Sequence, residues 1–155
     1  MTIEATLQKL NRLAGSWTTE ATHPAAPGVV VRGTVVTEWL EGKQFLIQRS
    51  RNDHPDFPDA ISIIGATDRD RVGERAPTPA RPSLTMHYFD SRGVFRVYQV
   101  DVEGDAWTIW REAPGFSQRF KGTFAQGDSA IAGLWQVCED GTHWHDDVRI
   151  HYRRT

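Results

Sequence analysis

The sequence predicts an all-β fold: about ten antiparallel strands wound up and down into a closed barrel, preceded by one short N-terminal helix. Three observations carry this expectation. Only residues 3–13 hold a helical pattern, short runs rich in β-branched and aromatic residues fill most of the rest, and turn-forming clusters separate those runs. The helix is expected because Ile3, Leu7, Leu10 and Leu13 recur at three- and four-residue spacing, with Thr2 placed to cap its start and Gly15 to end it.

Strands are expected at 15–22, 30–40, 43–50, 60–67, 83–89, 94–102, 105–111, 116–125, 129–138 and 144–153. Between them Glu41-Gly42, Asp90-Ser91-Arg92-Gly93, Glu103-Gly104-Asp105 and Asp140-Gly141-Thr142 supply residues suited to tight turns, so sequence neighbours should pair in space. Two connections are longer. Residues 51–59 and the charged, Pro-rich 68–82 have the length at which loops gate a site or stay disordered.

A length of 155 residues suits one domain spanning 1–155. With 39% hydrophobic residues, among them six Trp and seven Phe, the chain is not disordered and has many large rings to bury. Its net charge of −2, with both signs mixed along its length, excludes nucleic acid and an anionic membrane as expected partners. Cys138 is the sole thiol, residues 1–15 lack the apolar run of a signal peptide, and no stretch is apolar enough to span a bilayer. These features predict a cytoplasmic protein.

Alternation along each strand selects an inner stripe. On 116–125 Phe116, Gln118, Phe120 and Phe124 form the apolar side; on 144–153 Trp144, Asp146, Val148, Ile150 and Tyr152 do so. Trp17, Thr19, Ala21 and His23 share one expected stripe, Val31, Val35, Thr37 and Trp39 the next, and Phe45, Ile47 and Arg49 the third. Trp107 shares a face with Ile109 and Arg111. The run 94–102 is apolar on both sides, which fits a covering helix or a partner subunit, so a homodimer is among the expectations.

The residues also offer candidate chemistry. His143, His145 and Asp147 resemble a metal ladder or a solvated outer stripe; with no third ligand of the usual kind, no metal is assigned. Asp53, His54, Asp56 and Asp59, interleaved with Pro55 and Pro58, suit a turn-rich connector or a portal. His87 falls opposite the stripe of Leu84, Met86 and Tyr88, which places it outside the cavity. No phosphate-binding Gly-rich loop, nucleophile elbow or paired-Cys motif is present.

Leu13-Ala14-Gly15-Ser16-Trp17, Glu38-Trp39-Leu40-Glu41-Gly42, His87-Tyr88-Phe89-Asp90-Ser91-Arg92-Gly93 and the terminal Tyr152-Arg153-Arg154 give the chain a resemblance to the calycin superfamily. Within it the layout is similar to a bacterial family of uncharacterised lipocalin-like domains, and more distantly to nitrobindin-like and fatty-acid-binding-protein-like barrels. The nitrobindin branch would imply haem on a proximal His near the chain end. Here His151 falls on the polar stripe and Ser16 and Thr18 flank Trp17, so haem is the alternative expectation, with His151 or His23 as its ligand.

The expected function is binding of a small hydrophobic or planar ligand inside the barrel, without a required cofactor. Trp39, Tyr88, Trp107, Phe120, Trp144 and Tyr152 are the expected lining, and Arg49, Gln118 and Asp146 its polar groups. A third expectation is a cofactor-free enzyme acting on a hydrophobic substrate. Asp146 is its candidate acid/base, since a carboxylate among large apolar side chains must pair or take up a proton.

Overall fold

A computed structural model describes residues 2–67 and 83–155, which leaves the predicted 68–82 connection outside the described residues. Thr2 accepts the Ala5 N–H on its hydroxyl at 3.1 Å and starts α1 (Ile3–Gln8), which tightens into a 3₁₀ segment over Lys9–Leu13. Ten strands follow: β1 (Gly15–Thr22), β2 (Val31–Trp39), β3 (Phe45–Asn52), β4 (Ala60–Ala66), β5 (Leu84–Asp90), β6 (Phe95–Glu103), β7 (Ala106–Arg111), β8 (Ser117–Ala125), β9 (Ala130–Cys138) and β10 (His145–Arg154). Each pairs antiparallel with its sequence neighbours, and β10 closes the barrel on β1, with Thr19 opposite Tyr152 and Ala21 opposite Ile150.

One end is plugged. Ile3, Leu7, Leu10 and Leu13 bury the apolar stripe of the helical segment against Trp17, Leu46, Ile64, Leu84, Val100 and Val102, because a helix this short is stable only on such a surface. Arg12 reaches Asp128 at 2.8 Å and Asp105 at 2.9 Å, which ties the plug to the β6–β7 and β8–β9 turns. Arg154 donates to the carbonyls of Arg12 (2.9 Å) and Asp128 (3.1 Å) and lies over the Trp17 ring, so the last strand is stapled to the plug.

The opposite end is open. There the β5–β6 hairpin is organised by Asp90, whose side chain is fully covered. Burial alone would raise its pKa. It is outweighed by hydrogen bonds from the Arg92 guanidinium, the Tyr88 hydroxyl at 2.8 Å and the backbone N–H groups of Arg92 and Val94, which hold the carboxyl well below the usual aspartate range.

The outer face of β5 and β6 explains the two-sided apolarity of 94–102. Phe95 and Val97 point outward, with His87 stacked on Phe95 at 6.3 Å and Phe89 tilted against it at 5.1 Å; no helix of the described residues covers them. No helix among the described residues is long and apolar enough to cross a membrane.

Two outcomes are expected. Leu10→Ala should destabilise the protein to urea by about 2–5 kcal/mol, whereas Leu40→Ala, at a half-exposed position, should stay within about 0.5 kcal/mol; similar costs would show that the plug is not core. Asp90→Asn should cost roughly 1–3 kcal/mol at pH 7. Because the folded pKa of Asp90 lies below the unfolded one, the ionised group stabilises the fold at neutral pH, and that contribution fades as pH falls below about 3.9. Denaturation from pH 7 to pH 2.5 should therefore show the two proteins converging, and a constant gap would deny the role of ionisation.

Candidate functional site

The open end leads into a cavity of about 460 Å³ whose two walls differ in chemistry. One wall is aromatic. Starting on β5, Tyr88 meets Tyr98 edge-on at 6.1 Å, Tyr98 meets Trp135 at 5.8 Å, and Trp135 meets Phe120 at 5.1 Å. The series continues through Trp107, 5.0 Å from Phe120, to Tyr152 at 5.8 Å, so six rings contributed by β5 to β10 form one continuous surface. Gly133 makes room for it: a Cβ there would lie 2.6 Å from Cζ of Phe120.

The facing wall is polar and uncharged. Thr19 on β1, Gln48, Ser50 and Asn52 on β3, and Ser62 on β4 line it. Gln48 donates to the Thr37 hydroxyl at 3.3 Å and Asn52 to the Pro58 carbonyl at 2.9 Å. On the aromatic side Gln118 is buried and accepts from the Tyr98 hydroxyl at 3.0 Å. Trp107 is buried as well, and its indole N–H is the one buried side-chain polar atom among the described residues without a partner. Burial raises the phenols of Tyr88, Tyr98 and Tyr152, and the Asp90 carboxylate adds to the rise at Tyr88, so all three stay protonated at neutral pH.

Of the residues expected to line the cavity, Tyr88, Trp107, Gln118, Phe120 and Tyr152 do so. Four do not. Trp39 is at the plugged end, where its indole N–H donates to Asn11 at 2.7 Å. Arg49 faces outward and pairs with Glu38 at 3.0 Å, because antiparallel partners share a face: Val35 and Thr37 point inward opposite Ser50 and Gln48, so the even positions of β3 enter the barrel. The strand's more apolar stripe, with Phe45 and Ile47, is its outer one.

Trp144 and Asp146 are outside for a different reason. Between Asp146, opposite Gln136, and Arg149, opposite Leu134, two residues on β10 face one on β9; this bulge reverses the parity of the strand start. Trp144 therefore stacks under Arg119 at 4.0 Å on the outer surface, and Asp146 accepts from Gln136 at 2.9 Å there. The carboxylate that enters the cavity is Asp147, whose Oδ1 meets His23 Nε2 at 2.8 Å. Sequence reading missed Asp147, Arg96, Tyr98, Trp135 and the polar residues of β3 and β4. The cross-strand partners of Val35 and Thr37 were a usable signal for Gln48 and Ser50, whereas nothing local in the sequence marks the bulge.

Neither expected haem ligand fits. His151 is exposed on the outer face opposite Glu20, and His23 has both nitrogens engaged, Nε2 with Asp147 and Nδ1 accepting the Ala25 N–H at 3.0 Å. The metal ladder is not assembled either: His143 is held by Asp140 at 2.6 Å while Asp147 turns inward to His23. In the first long loop Asp53 and Asp59 accept backbone N–H groups of Arg32 and Asn52, and Asp56, Phe57 and Pro58 border the cavity mouth.

No protein-family model matches the chain, and a search of curated proteins gives no match. Solved structures do match. The chain is similar to Rv2717c from M. tuberculosis at 15% identity and a TM-score of 0.64, covering 97% of each chain. It is also similar to the S-type phycobiliprotein lyase CPES from Guillardia theta at 10% identity and a TM-score of 0.56, over 100% of this chain and 93% of the other. At these identities the likeness is one of fold alone.

Proposed function

We propose that the barrel binds one small planar, mostly apolar molecule with a polar edge. The observation that carries this reading is the pairing of a six-ring wall with a wall of neutral hydrogen-bonding side chains across a cavity open at one end. Its volume lies within the usual range for small-molecule sites, roughly 300–1,000 Å³, and a few placed polar groups among rings are how such sites orient a ligand. The neighbour described as a phycobiliprotein lyase is compatible with a small molecule held in a barrel of this kind, though its likeness speaks for the fold alone. Cytoplasmic placement belongs to the same proposal, supported by a single buried thiol, Cys138.

Binding is favoured over proton transfer. Asp146, the expected acid/base, is on the outer surface, and the pair that does reach the cavity offers no free imidazole nitrogen to a substrate.

N-phenyl-1-naphthylamine, a neutral planar probe, should give saturable, blue-shifted fluorescence at one site per chain. Gly133→Ala crowds the Phe120 ring and should weaken binding several-fold, while Phe95→Ala removes the most exposed outer ring and should leave binding unchanged. Loss of binding in Phe95→Ala, or none in the wild type, would refute the cavity as the site.

A further inference from the structure

The charged groups at the cavity mouth are unequally satisfied. Arg92 is paired with Asp90 at 2.7 Å, and Asp147 with His23 at 2.8 Å. Asp56 is largely exposed to solvent, with His54 at 3.9 Å. Arg96, on β6, lines the cavity directly opposite Tyr88 in the strand register and is half-buried, yet it forms no ion pair among the described residues. Its guanidinium stands 5.2 Å from the centre of the Phe116 ring and beside the Tyr98 hydroxyl.

One donor close to it is uncommitted. The Tyr98 hydroxyl occupies the carbonyl oxygen of Gln118, while the amide nitrogen of this cavity-lining side chain is not itself buried and makes no hydrogen bond among the described residues. Arg111 adds positive potential close by, and its own hydrogen bond goes to the neutral Phe116 carbonyl at 3.1 Å. A half-buried guanidinium that forms no ion pair among the described residues, sharing the Tyr98 hydroxyl with a side-chain amide, matches a carboxylate in both charge and donor type.

We infer that the cavity mouth is a carboxylate subsite, with Arg96 as its cation and the Gln118 amide as its second donor, and that the ligand is an aromatic acid whose ring lies deeper, against Tyr98 and Trp135. The inference rests on the reading of the cavity as a site for a planar molecule. It adds the sign of the ligand's charge and the end of the cavity at which that charge sits.

The test compares two ligands of one shape, 2-naphthoate and 2-naphthalenemethanol, by displacement of the neutral N-phenyl-1-naphthylamine probe at pH 7. The acid should bind about tenfold or more tightly than the alcohol, and the advantage should shrink as salt is raised. Arg96→Gln should bring the ratio close to one. Arg49→Gln, which removes the same charge from the outer face, should keep the ratio. Arg96→Lys retains charge without the planar fork and should fall between, which guards against reading a folding defect as loss of the subsite. If probe and alcohol bind but the acid gains nothing, or if Arg96→Gln and Arg49→Gln change the ratio alike, the carboxylate subsite is overturned and the planar-ligand reading stands. If the probe itself does not bind, both fall.

Discussion

Closure of the sheet through β1 and β10 is the constraint from which the rest of the structure follows. In any sheet cross-strand partners share a face, and closure carries that tie around the whole ring, so that each strand's facing must agree with both of its neighbours. Trp17, Thr19 and Ala21 face inward on β1, and their partners Val35, Gly33 and Val31 on β2 must do the same. Thr37 and Val35 then force Gln48 and Ser50 inward, which sets a polar β3 against the aromatic β6 to β10. The amphipathic cavity is thus a consequence of register, not of apolar residues seeking the interior strand by strand.

That distinction explains what was legible in the sequence. All ten strands lie within a few residues of the expected positions, because hairpin turns such as Glu41-Gly42 and Asp90 to Gly93 mark their ends with residues that tolerate positive φ, as Gly42 and Gly93 do here. Facing was legible where the inner stripe is the apolar one, as on β8 with Gln118 and Phe120. It failed on β3, where Phe45 and Ile47 decorate the outer surface. It failed again on β10, where alternation holds from Val148 to Tyr152 but is broken one step earlier by the bulge. An extra residue in a ladder leaves no mark in composition or period, so Asp146 and Asp147 exchange places without any local warning.

The two ends of the barrel are built on different principles. At the plugged end Leu10, Leu13, Trp17, Leu46, Ile64 and Leu84 are almost completely buried, and Arg12 and Arg154 satisfy turns and carbonyls that would otherwise meet a closed, dry interface. That end is packed as a core. At the open end the side chains are held by hydrogen bonds to one another and to loops, with Asn52 on Pro58, Tyr88 on Asp90 and Tyr98 on Gln118. Such contacts fix orientation while leaving space between the walls, which is what a site of selective binding needs.

The polar wall also carries an energetic argument about occupancy. Burying hydroxyl and amide groups costs free energy unless each finds a partner, and a barrel under selection for stability alone would fill this volume with aliphatic side chains. Instead Ser50 and Ser62 face rings across open space, and the Trp107 indole N–H is buried with no acceptor among the described residues. Water can satisfy the groups near the mouth. It does so less well at the aromatic wall, where a single molecule has few other polar neighbours. A planar ligand with acceptors on its edge meets both conditions at once, covering the rings with apolar area and offering partners to donors that the protein leaves unmatched. On the proposed reading, the destabilising features of the interior and its recognition chemistry are the same residues.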